Sequence, residues 1–365
     1  MRACVCTIIA VFSLTAHTAF AQGDRTAAAF WQTVQSRCDA TAAKPPSALG
    51  LRIAQTAMEE FNRFGGHQID STGRLFHFGL TEAEHEQEHN GDRPTRLSDL
   101  GWSQVMKYWH SLYGDDIGDK LEVRGYRDAS NATDKAQAAA LLRTDVGELL
   151  RAAEAVADPA AREILREAVL RAAIIDTPWS AAFVSYVIRQ SGVSANSFKF
   201  ANAHRVYIYD AFAASAAEET NETGDWLYRA CPTSTRPRPG DLICQQRERA
   251  LAKASDASVR ERVRQEIAAL TDARSVRHTH CEVVAYIDKS ARKIYTIGGN
   301  VNQAVTARKL NLRDDLKFSA VQKGNCGGPG QWTLPPPSTD TPSASTADET
   351  CSLNDQKWFV LLQLR

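Results

Sequence analysis

The sequence lacks several features that would point directly to a function. Its 43 Lys and Arg residues balance its 43 Asp and Glu residues, so the formal net charge is zero. A chain without net charge has no global field that would recruit nucleic acid or an anionic lipid surface. It contains no internal repeat. Beyond the N-terminus, no apolar run reaches the roughly 20 residues that a membrane span needs. We therefore expect neither a nucleic-acid partner nor a membrane span.

The N-terminus has the layout of a cleavable secretory signal peptide. Arg2 supplies a basic start, residues 3–16 are apolar, and Ala-Phe-Ala at 19–21 provides an A-x-A cleavage site. The apolar run is too short and wrongly flanked for a membrane span. We expect residues 1–21 to be removed and the mature chain to be periplasmic or secreted.

Cysteine pairs at metal-binding spacing are also missing. The eight cysteines include no Cys-x-x-Cys motif, so a structural zinc site is not expected. Cys4 and Cys6 leave with the signal peptide, and an even number remaining in an exported protein favours disulfides. Cys244 and Cys281 lie on predicted neighbouring strands, where they could form a disulfide or a buried pair of thiols. The other pairs considered are Cys326 with Cys351 and Cys38 with Cys231.

The mature chain divides into a helical half and a strand-rich half, which predicts an α+β fold. Residues 22–50 read as an N-terminal helix and linker, and residues 51–175 carry apolar side chains at helical spacing. From residue 176 onward, short strand-like runs are punctuated by Gly, Asn and Asp, which predicts antiparallel strands. A charged helical insertion at 247–274 and a Pro/Ser/Thr-rich loop at 335–350 interrupt them.

Individual elements follow from apolar spacing and from helix and strand breakers. The predicted helices are 25–43, 51–64, 100–113, a hairpin within 134–175 that breaks near Asp158-Pro159, and 178–190. The predicted strands are 241–244, 281–287, 293–297, 304–312 and 358–364.

A zinc-peptidase motif, His-Glu-Gln-Glu-His, occurs at residues 85–89. Such an enzyme needs the motif inside a helix, so that both imidazoles project from one face, and a third ligand downstream. Here the run has no apolar face, and Asn90-Gly91 turns the chain directly after it. The nearest later histidine, His110, lies among aromatic residues on a helix predicted to face the core. We expect no metal and no cofactor, and keep a zinc metallopeptidase as the third hypothesis.

Residues 176–192 have the properties of a helix that carries a nucleophile in its first turn. Asp176 or Thr177 can cap the helix, and Pro178 suits its first turn. Ser180 then lies where unpaired backbone N–H groups and the positive end of the helix dipole converge. That environment favours an anionic nucleophile and offers donors to an oxyanion.

This helix start resembles the nucleophile helix of the CHAP-type (cysteine, histidine-dependent) amidohydrolases and related papain-like cell-wall peptidases. Trp-Ser-Ala-Ala-Phe-Val-Ser at 179–185 is similar to their Trp-Cys-Ala-Ala-Phe-Val-Ser. Three more motifs follow in order: Pro-Gly-Asp-Leu-Ile at 239–243, His-Cys-Glu-Val-Val at 280–284 and Ile-Gly-Gly-Asn at 297–300. The resemblance implies a single papain-like domain over 51–365, with a short antiparallel sheet packed against N-terminal helices.

A closer resemblance is to the bacterial domain-of-unknown-function family 2272. Its motifs are similar to Pro-Trp-Ser-Ala-Ala-Phe at 178–183, Ala-Asn-Ala-His at 201–204, His-Cys-Glu-Val at 280–283 and Ile-Gly-Gly-Asn-Val at 297–301. This resemblance extends from about residue 51 to the C-terminus and implies the family without a particular activity.

The superfamily resemblance implies a catalytic role for three residues. Ser180 stands where those enzymes have a cysteine nucleophile, His280 is the candidate base, and Asn300 can hold its imidazole in the reactive tautomer. The acidic residue found there in the family is replaced by Gly298. Asn300 must therefore orient His280 alone or with a group that the sequence does not identify. His278 is the second candidate for the base.

Trp179, His204 and Gly299 are the candidates for substrate contact. Trp179 could shape the pocket or belong to the core, and His204 could line the cleft or act as a packed or capping histidine. The leading hypothesis is an exported amide-bond hydrolase that acts on peptidoglycan peptides or a related cell-envelope substrate. The alternative is a catalytically silent envelope-binding or effector-like module, in which Ser180 is an ordinary first-turn serine.

Overall fold

The computed structural model describes most of the chain with gaps: residues 28–82, 100–126, 141–219, 221–222, 224–247, 278–319, 322 and 352–365. Several predictions fall outside the described residues: the signal peptide, the motif at 85–89, Cys326 and Cys351, the loop at 335–350 and nearly all of the insertion at 247–274.

The described residues form seven helices. Some of these helices start at a side-chain cap. The Asp145 side chain accepts a hydrogen bond from Glu148 N, and the Asp158 side chain, directly before Pro159, accepts one from Ala161 N. None of these helices is both long and apolar enough to cross a membrane. The helices are α1 Ala28–Ala42, α2 Ala48–Arg63, α3 Gly101–Tyr113, α4 Val146–Glu154, α5 Pro159–Asp176, α6 Ser180–Gln190 and α7 His204–Glu219.

Ten strands form a large mixed sheet and a separate hairpin within the described ranges. The large sheet has the order β2-β1-β9-β8-β7-β6-β10-β5, and every pair in it is antiparallel except β1 with β9. The hairpin pairs β3 with β4. The strands are β1 Gln68–Ile69, β2 Leu75–His77, β3 Glu122–Tyr126, β4 Leu141–Asp145, β5 Tyr228–Cys231, β6 Leu242–Gln246, β7 Thr279–Asp288, β8 Lys293–Val301, β9 Ala304–Asn311 and β10 Lys357–Leu364.

The structure confirms the α+β class and most of the predicted elements to within a few residues. The first part of the predicted hairpin of helices was wrong, because residues 141–145 form strand β4. That strand finds its partner 15 or more residues upstream in β3, and tertiary pairing overrode the helical propensity of an Ala- and Leu-rich run. Helix α7 and strands β1, β2, β3 and β5 were not predicted.

The core lies where helix α6 packs against strands β7 and β8 and against helices α2 and α3. Phe183, Val184, Val187 and Ile188 of α6 are fully buried. Because α6 is held on several sides, its first residue has a fixed position relative to the sheet. The first residue of α6 is Ser180, which therefore lies beside β7.

Two disulfides confirm two of the predicted cysteine pairs. Cys244 and Cys281 are direct register partners on β6 and β7, and the bond joins these two strands. Cys38 and Cys231 join α1 to β5 across 193 residues of sequence. Two disulfides are compatible with an oxidising compartment outside the cytoplasm.

Candidate active site around Ser180

Helix α6 begins at Ser180 without a side-chain cap. Its N-cap residue is Trp179, which makes no side-chain capping bond, and the first helical hydrogen bond runs from Phe183 N to Trp179 O. The predicted caps were wrong, since the Asp176 carboxylate accepts a hydrogen bond from Arg124 N and Thr177 Oγ1 accepts one from Glu122 N. These two side chains hold strand β3. The first-turn N–H groups therefore remain for another acceptor.

Ser180 contacts an imidazole directly, and that imidazole belongs to His204. The Ser180 Oγ lies 2.8 Å from the His204 Nε2. On the other side of the ring, His204 Nδ1 is hydrogen-bonded to the Tyr207 hydroxyl. His204 begins α7, and Tyr207 follows three residues later on the same helical face. The helix thus supplies both the partner of Ser180 and the group that orients it.

A second imidazole, that of His280 on β7, is bound to a buried carboxylate. The His280 Nε2 lies 3.3 Å from Glu282 Oε1, which also accepts a hydrogen bond from Arg308 Nε at 2.7 Å. Glu282 Oε2 accepts one from Thr296 Oγ1 at 2.6 Å. Strands β7, β8 and β9 therefore all contribute to holding this carboxylate, and the carboxylate holds the ring.

Glu282 is the orienting group that the sequence did not identify. It follows His280 by two residues, so both side chains project from the same face of β7. Position 298 on β8 faces the same place, and a Cβ built on Gly298 would lie 2.8 Å from Glu282 Cγ and 3.0 Å from His280 Nε2. The missing side chain at 298 leaves room for the Glu282 carboxylate.

The two imidazoles are neighbours inside the protein. The ring centroids of His204 and His280 are 5.0 Å apart in an edge-to-face arrangement. Ser180, His204 and His280 are only 5%, 4% and 0% exposed. Burial lowers the pKa of His280 to about 4, with the Arg247 charge acting in the same direction. Burial and the neighbouring His280 lower the pKa of His204 well below its ordinary value. Both rings are neutral at neutral pH, as a proton acceptor must be.

The donor and acceptor in each of these bonds follow from the groups that each ring contacts. The Tyr207 hydroxyl is buried, and within the described residues its one acceptor is His204 Nδ1. Tyr207 therefore donates, and the neutral His204 ring carries its proton on Nε2 and donates to Ser180 Oγ. Burial acts to raise the pKa of Glu282, but the Arg308 charge and the bonds from His280 and Thr296 lower it to about 2. The ionised carboxylate therefore accepts from His280 Nε2. That leaves His280 Nδ1 as a buried lone pair with no hydrogen-bond partner among the residues that the structure describes.

Comparison with known proteins places the chain in a family. Residues 97–364 match DUF2272, which is described as an uncharacterized protein conserved in bacteria. The chain belongs to this family. The matched region contains Ser180, His204, Tyr207, His280 and Glu282. No curated protein and no solved structure matches the chain, so membership of DUF2272 brings no reaction with it.

The remaining predicted residues of this DUF2272 site lie around the two imidazoles. Asn300 is half-buried at the bulged end of β8 with a φ of 51°, and the group bonded to His280 Nε2 is Glu282 instead. His278 is exposed and precedes β7. A Cβ on Gly299 would overlap the Cβ of Phe183, so Gly299 permits close packing of β8 on α6.

Trp179 is fully buried, and its indole Nε1 donates a hydrogen bond to the Glu82 carboxylate. Burial raises the pKa of Glu82 to about 7, against the effect of that bond. Trp179 and Gly299 are both buried in the protein. Their contact with a substrate stays a prediction. The sequence could have indicated Glu282 through the His-x-Glu spacing on a predicted strand. For Tyr207 the signal is weaker: it lies three residues after His204. The sequence held no local signal for Glu82, which is 97 residues from its partner.

Proposed function

We propose that this chain is an exported serine amidohydrolase of papain-like fold that cleaves amide bonds in peptidoglycan peptides or a related envelope substrate. The observation that carries the proposal is the 2.8 Å contact between Ser180 Oγ and His204 Nε2 at the uncapped start of α6, beside a second, carboxylate-bound imidazole. A nucleophile, a base, an orienting acid and backbone donors are the parts that acyl transfer requires.

In the proposed reaction Ser180 attacks the substrate carbonyl carbon, and His280 Nδ1 accepts the hydroxyl proton. His280 takes this role because its Nδ1 carries a lone pair, whereas His204 Nε2 carries a proton and donates to Ser180 Oγ in the resting state. The Ser180 side chain must rotate about its Cα–Cβ bond from His204 toward His280 for the transfer. Glu282 is a positioning residue that fixes the His280 tautomer.

The oxyanion of the tetrahedral intermediate would lie against the N–H groups of the first turn of α6, where the helix dipole adds to the hydrogen bonds. The C–N bond then breaks, and His280 returns the proton to the leaving amine. A water molecule, deprotonated by His280, then attacks the acyl carbon. The bond between this carbon and Ser180 Oγ breaks, His280 returns the proton to Oγ, and the acid leaves. No cofactor is needed for this cycle.

The substrate class rests on the resemblance of four ordered motifs to cell-wall amidohydrolases. The expected signal peptide and the two disulfides support an export route to the compartment where such substrates lie. Stem peptides of peptidoglycan offer the amide bonds that this chemistry would cleave.

A second candidate is a catalytically silent envelope-binding module of the same fold. The burial of Ser180, His204 and His280 favours it, because a substrate carbonyl cannot reach Ser180 without a local opening. In that case the network would stabilise the packing of α6 and α7 on the sheet, and recognition would not depend on the nucleophile.

The test is mass spectrometry of fragments released from purified peptidoglycan sacculi by the disulfide-bonded chain. Ser180→Ala is the active-site variant, and Ser194→Ala, at an exposed serine after α6, is its matched control. A fluorophosphonate probe, which labels activated serines without needing the natural substrate, is applied in parallel with peptide mapping of the adduct.

Peptide release by the wild type and Ser194→Ala but not by Ser180→Ala, together with labelling at Ser180, would support the hydrolase. Labelling of Ser180 without release would keep the hydrolase and reject the substrate. The absence of both, in a protein shown to be folded, would favour the silent module.

A further inference from the structure

A second concave site lies away from Ser180, at the far end of β7. It is a cleft of about 620 Å³ between the α1–α2 linker, the segment before β6, and the end of β7. This volume is in the range of pockets that hold small ligands or short peptides. Tyr286 lines it and lies six residues along β7 from His280, which is about 20 Å for an extended strand. The cleft is therefore separate from the candidate active site.

The body of the cleft is apolar and partly exposed. Leu51 and Tyr286, which line it, are 52% and 57% exposed, unlike most large apolar side chains of the described residues. Four prolines add to the walls: Pro45, Pro46, Pro237 and Pro239. Because proline has no N–H group, these four positions offer no backbone donor to a ligand. A ligand with its own N–H donors and apolar side chains suits such a surface.

The charges around the cleft have one sign. Every charged residue that lines it is a cation: Lys44, Arg236, Arg238 and Lys289. Within the described part of the chain, the ammonium groups of Lys44 and Lys289 make no ion pair. Arg236 Nε donates to the backbone carbonyl of Asp315, and the two Arg238 Nη atoms donate to those of Thr41 and Leu364.

Two carboxylates lie near the lysine and arginine side chains of the cleft in sequence or by contact: Asp288 precedes Lys289, and the Asp315 carbonyl accepts from Arg236. Asp288 accepts hydrogen bonds from the Ser290 hydroxyl and from Ala291 N, and Asp315 forms an ion pair with Arg313. Arg238 is buried beside Asp241, so the charges available to a ligand are those of Lys44 and Lys289.

We infer that this cleft binds a short acidic peptide, with its carboxylates on Lys44 and Lys289 and its apolar side chains on Leu51 and Tyr286. Peptide N–H groups supply the donors that the proline walls lack, whereas a fatty acid has none. This inference does not depend on hydrolysis at Ser180 and would hold for either candidate function.

The test is a titration of the ¹⁵N-labelled full chain with the peptide acetyl-Leu-Glu-Leu-Glu, followed by NMR chemical shifts and calorimetry. The control ligand is the same peptide with Gln for Glu and an amidated C-terminus. Decanoate, an anion without N–H groups, is the third probe. We expect shifts centred on Leu51, Tyr286 and Lys289 with the acidic peptide, and weaker binding of both other probes.

Charge-reversal variants locate the binding. Lys289→Glu should weaken binding of the acidic peptide by at least about fivefold, because it removes an exposed ion pair and adds a repulsive charge. Arg151→Glu, an equal charge change at an exposed position on α4, should leave binding unchanged. Tyr286→Ala should also weaken binding, and Ser180→Ala should not. Equal binding of the Gln peptide, preference for decanoate, shifts elsewhere, or no binding at millimolar peptide would each overturn the inference.

Discussion

Glu282 fills the space that a side chain at position 298 would occupy. The two residues lie on neighbouring strands, and the absence of a Cβ at Gly298 lets the Glu282 carboxylate reach His280. Strand β8 has no side chain at this position and β7 supplies the acid, so the imidazole has an ionised partner. A histidine with such a partner is held in one tautomer and one orientation.

We predict that Gly298→Ala destabilises the protein by about 1–3 kcal/mol, the usual cost of forcing extra volume into a packed core. The new methyl group would meet Glu282 Cγ and His280 Nε2. Urea unfolding is the measurement. Gly125→Ala is the control, since a Cβ there has open space, and equal effects of the two changes would contradict the packing argument.

Tyr207→Phe should alter His204 and spare His280. Without its donor, His204 Nδ1 is left as a buried unpaired acceptor, at a cost of about 1–3 kcal/mol, or the ring changes tautomer. ¹⁵N NMR of the imidazoles reports the tautomer directly, and the wild type should show both rings protonated on Nε2 at neutral pH. Tyr228→Phe, which also removes one buried hydrogen bond, should lower stability but leave the His204 signals in place. A wild-type His204 protonated on Nδ1 would reverse the assignment of the base.

Glu82 should make stability fall with rising pH. Its folded pKa of about 7 lies above the ordinary value of 4.5, so the unfolded chain releases the proton first. The loss begins as pH rises past 4.5 and is complete above about 7, and it amounts to about 3 kcal/mol. Glu82→Gln can keep an acceptor for the Trp179 indole and should remove this dependence.

Urea unfolding at pH 4.5 and pH 8 measures the effect. The free energy of unfolding of Glu82→Gln, relative to that of the wild type, should be about 3 kcal/mol larger at pH 8 than at pH 4.5. Glu59→Gln on the exposed side of α2 should show no such gain. A pH-independent difference between wild type and Glu82→Gln would show that the carboxyl is already ionised in the folded state.

The two disulfides should differ in their contribution to stability. Cys38–Cys231 spans 193 residues and Cys244–Cys281 spans 37, so the first restricts the unfolded chain more. In the chain-entropy picture its removal costs about 1.5 kcal/mol more than removal of the second. Unfolding of the double alanine variant of each pair is the comparison, and a larger loss for Cys244 and Cys281 would mean that local packing between β6 and β7 outweighs loop entropy.

Local pattern was enough to predict the central strands and helix α6. Strands β6 to β10 are apolar runs bounded by Gly, Asn and Asp, and α6 has an apolar spacing that matches its burial. Pattern failed at β4, where pairing with β3 overrode an Ala- and Leu-rich sequence. It also missed β5, whose four residues are too short to stand out from a loop.

In the candidate site, too, local motifs predicted some residues, whereas the contacts between them became known only from the structure. Ser180 and His280 were predicted from their motifs, and the structure brings them into one buried cluster. His204 was predicted as a substrate contact, yet it is the residue bonded to Ser180. Spacing alone does not show which imidazole contacts Ser180, because α7 and β7 approach α6 from separate parts of the chain.

By itself, the sequence determined the family, the α+β class and the helix that begins at Ser180, since each depends on residues that are close along the chain. Only the tertiary structure decided which imidazole touches Ser180, which carboxylate holds His280 and which tryptophan partners Glu82. Those contacts join residues up to 97 positions apart. They depend on strand register and on the angle at which helices cross the sheet, and neither is encoded in any one local segment.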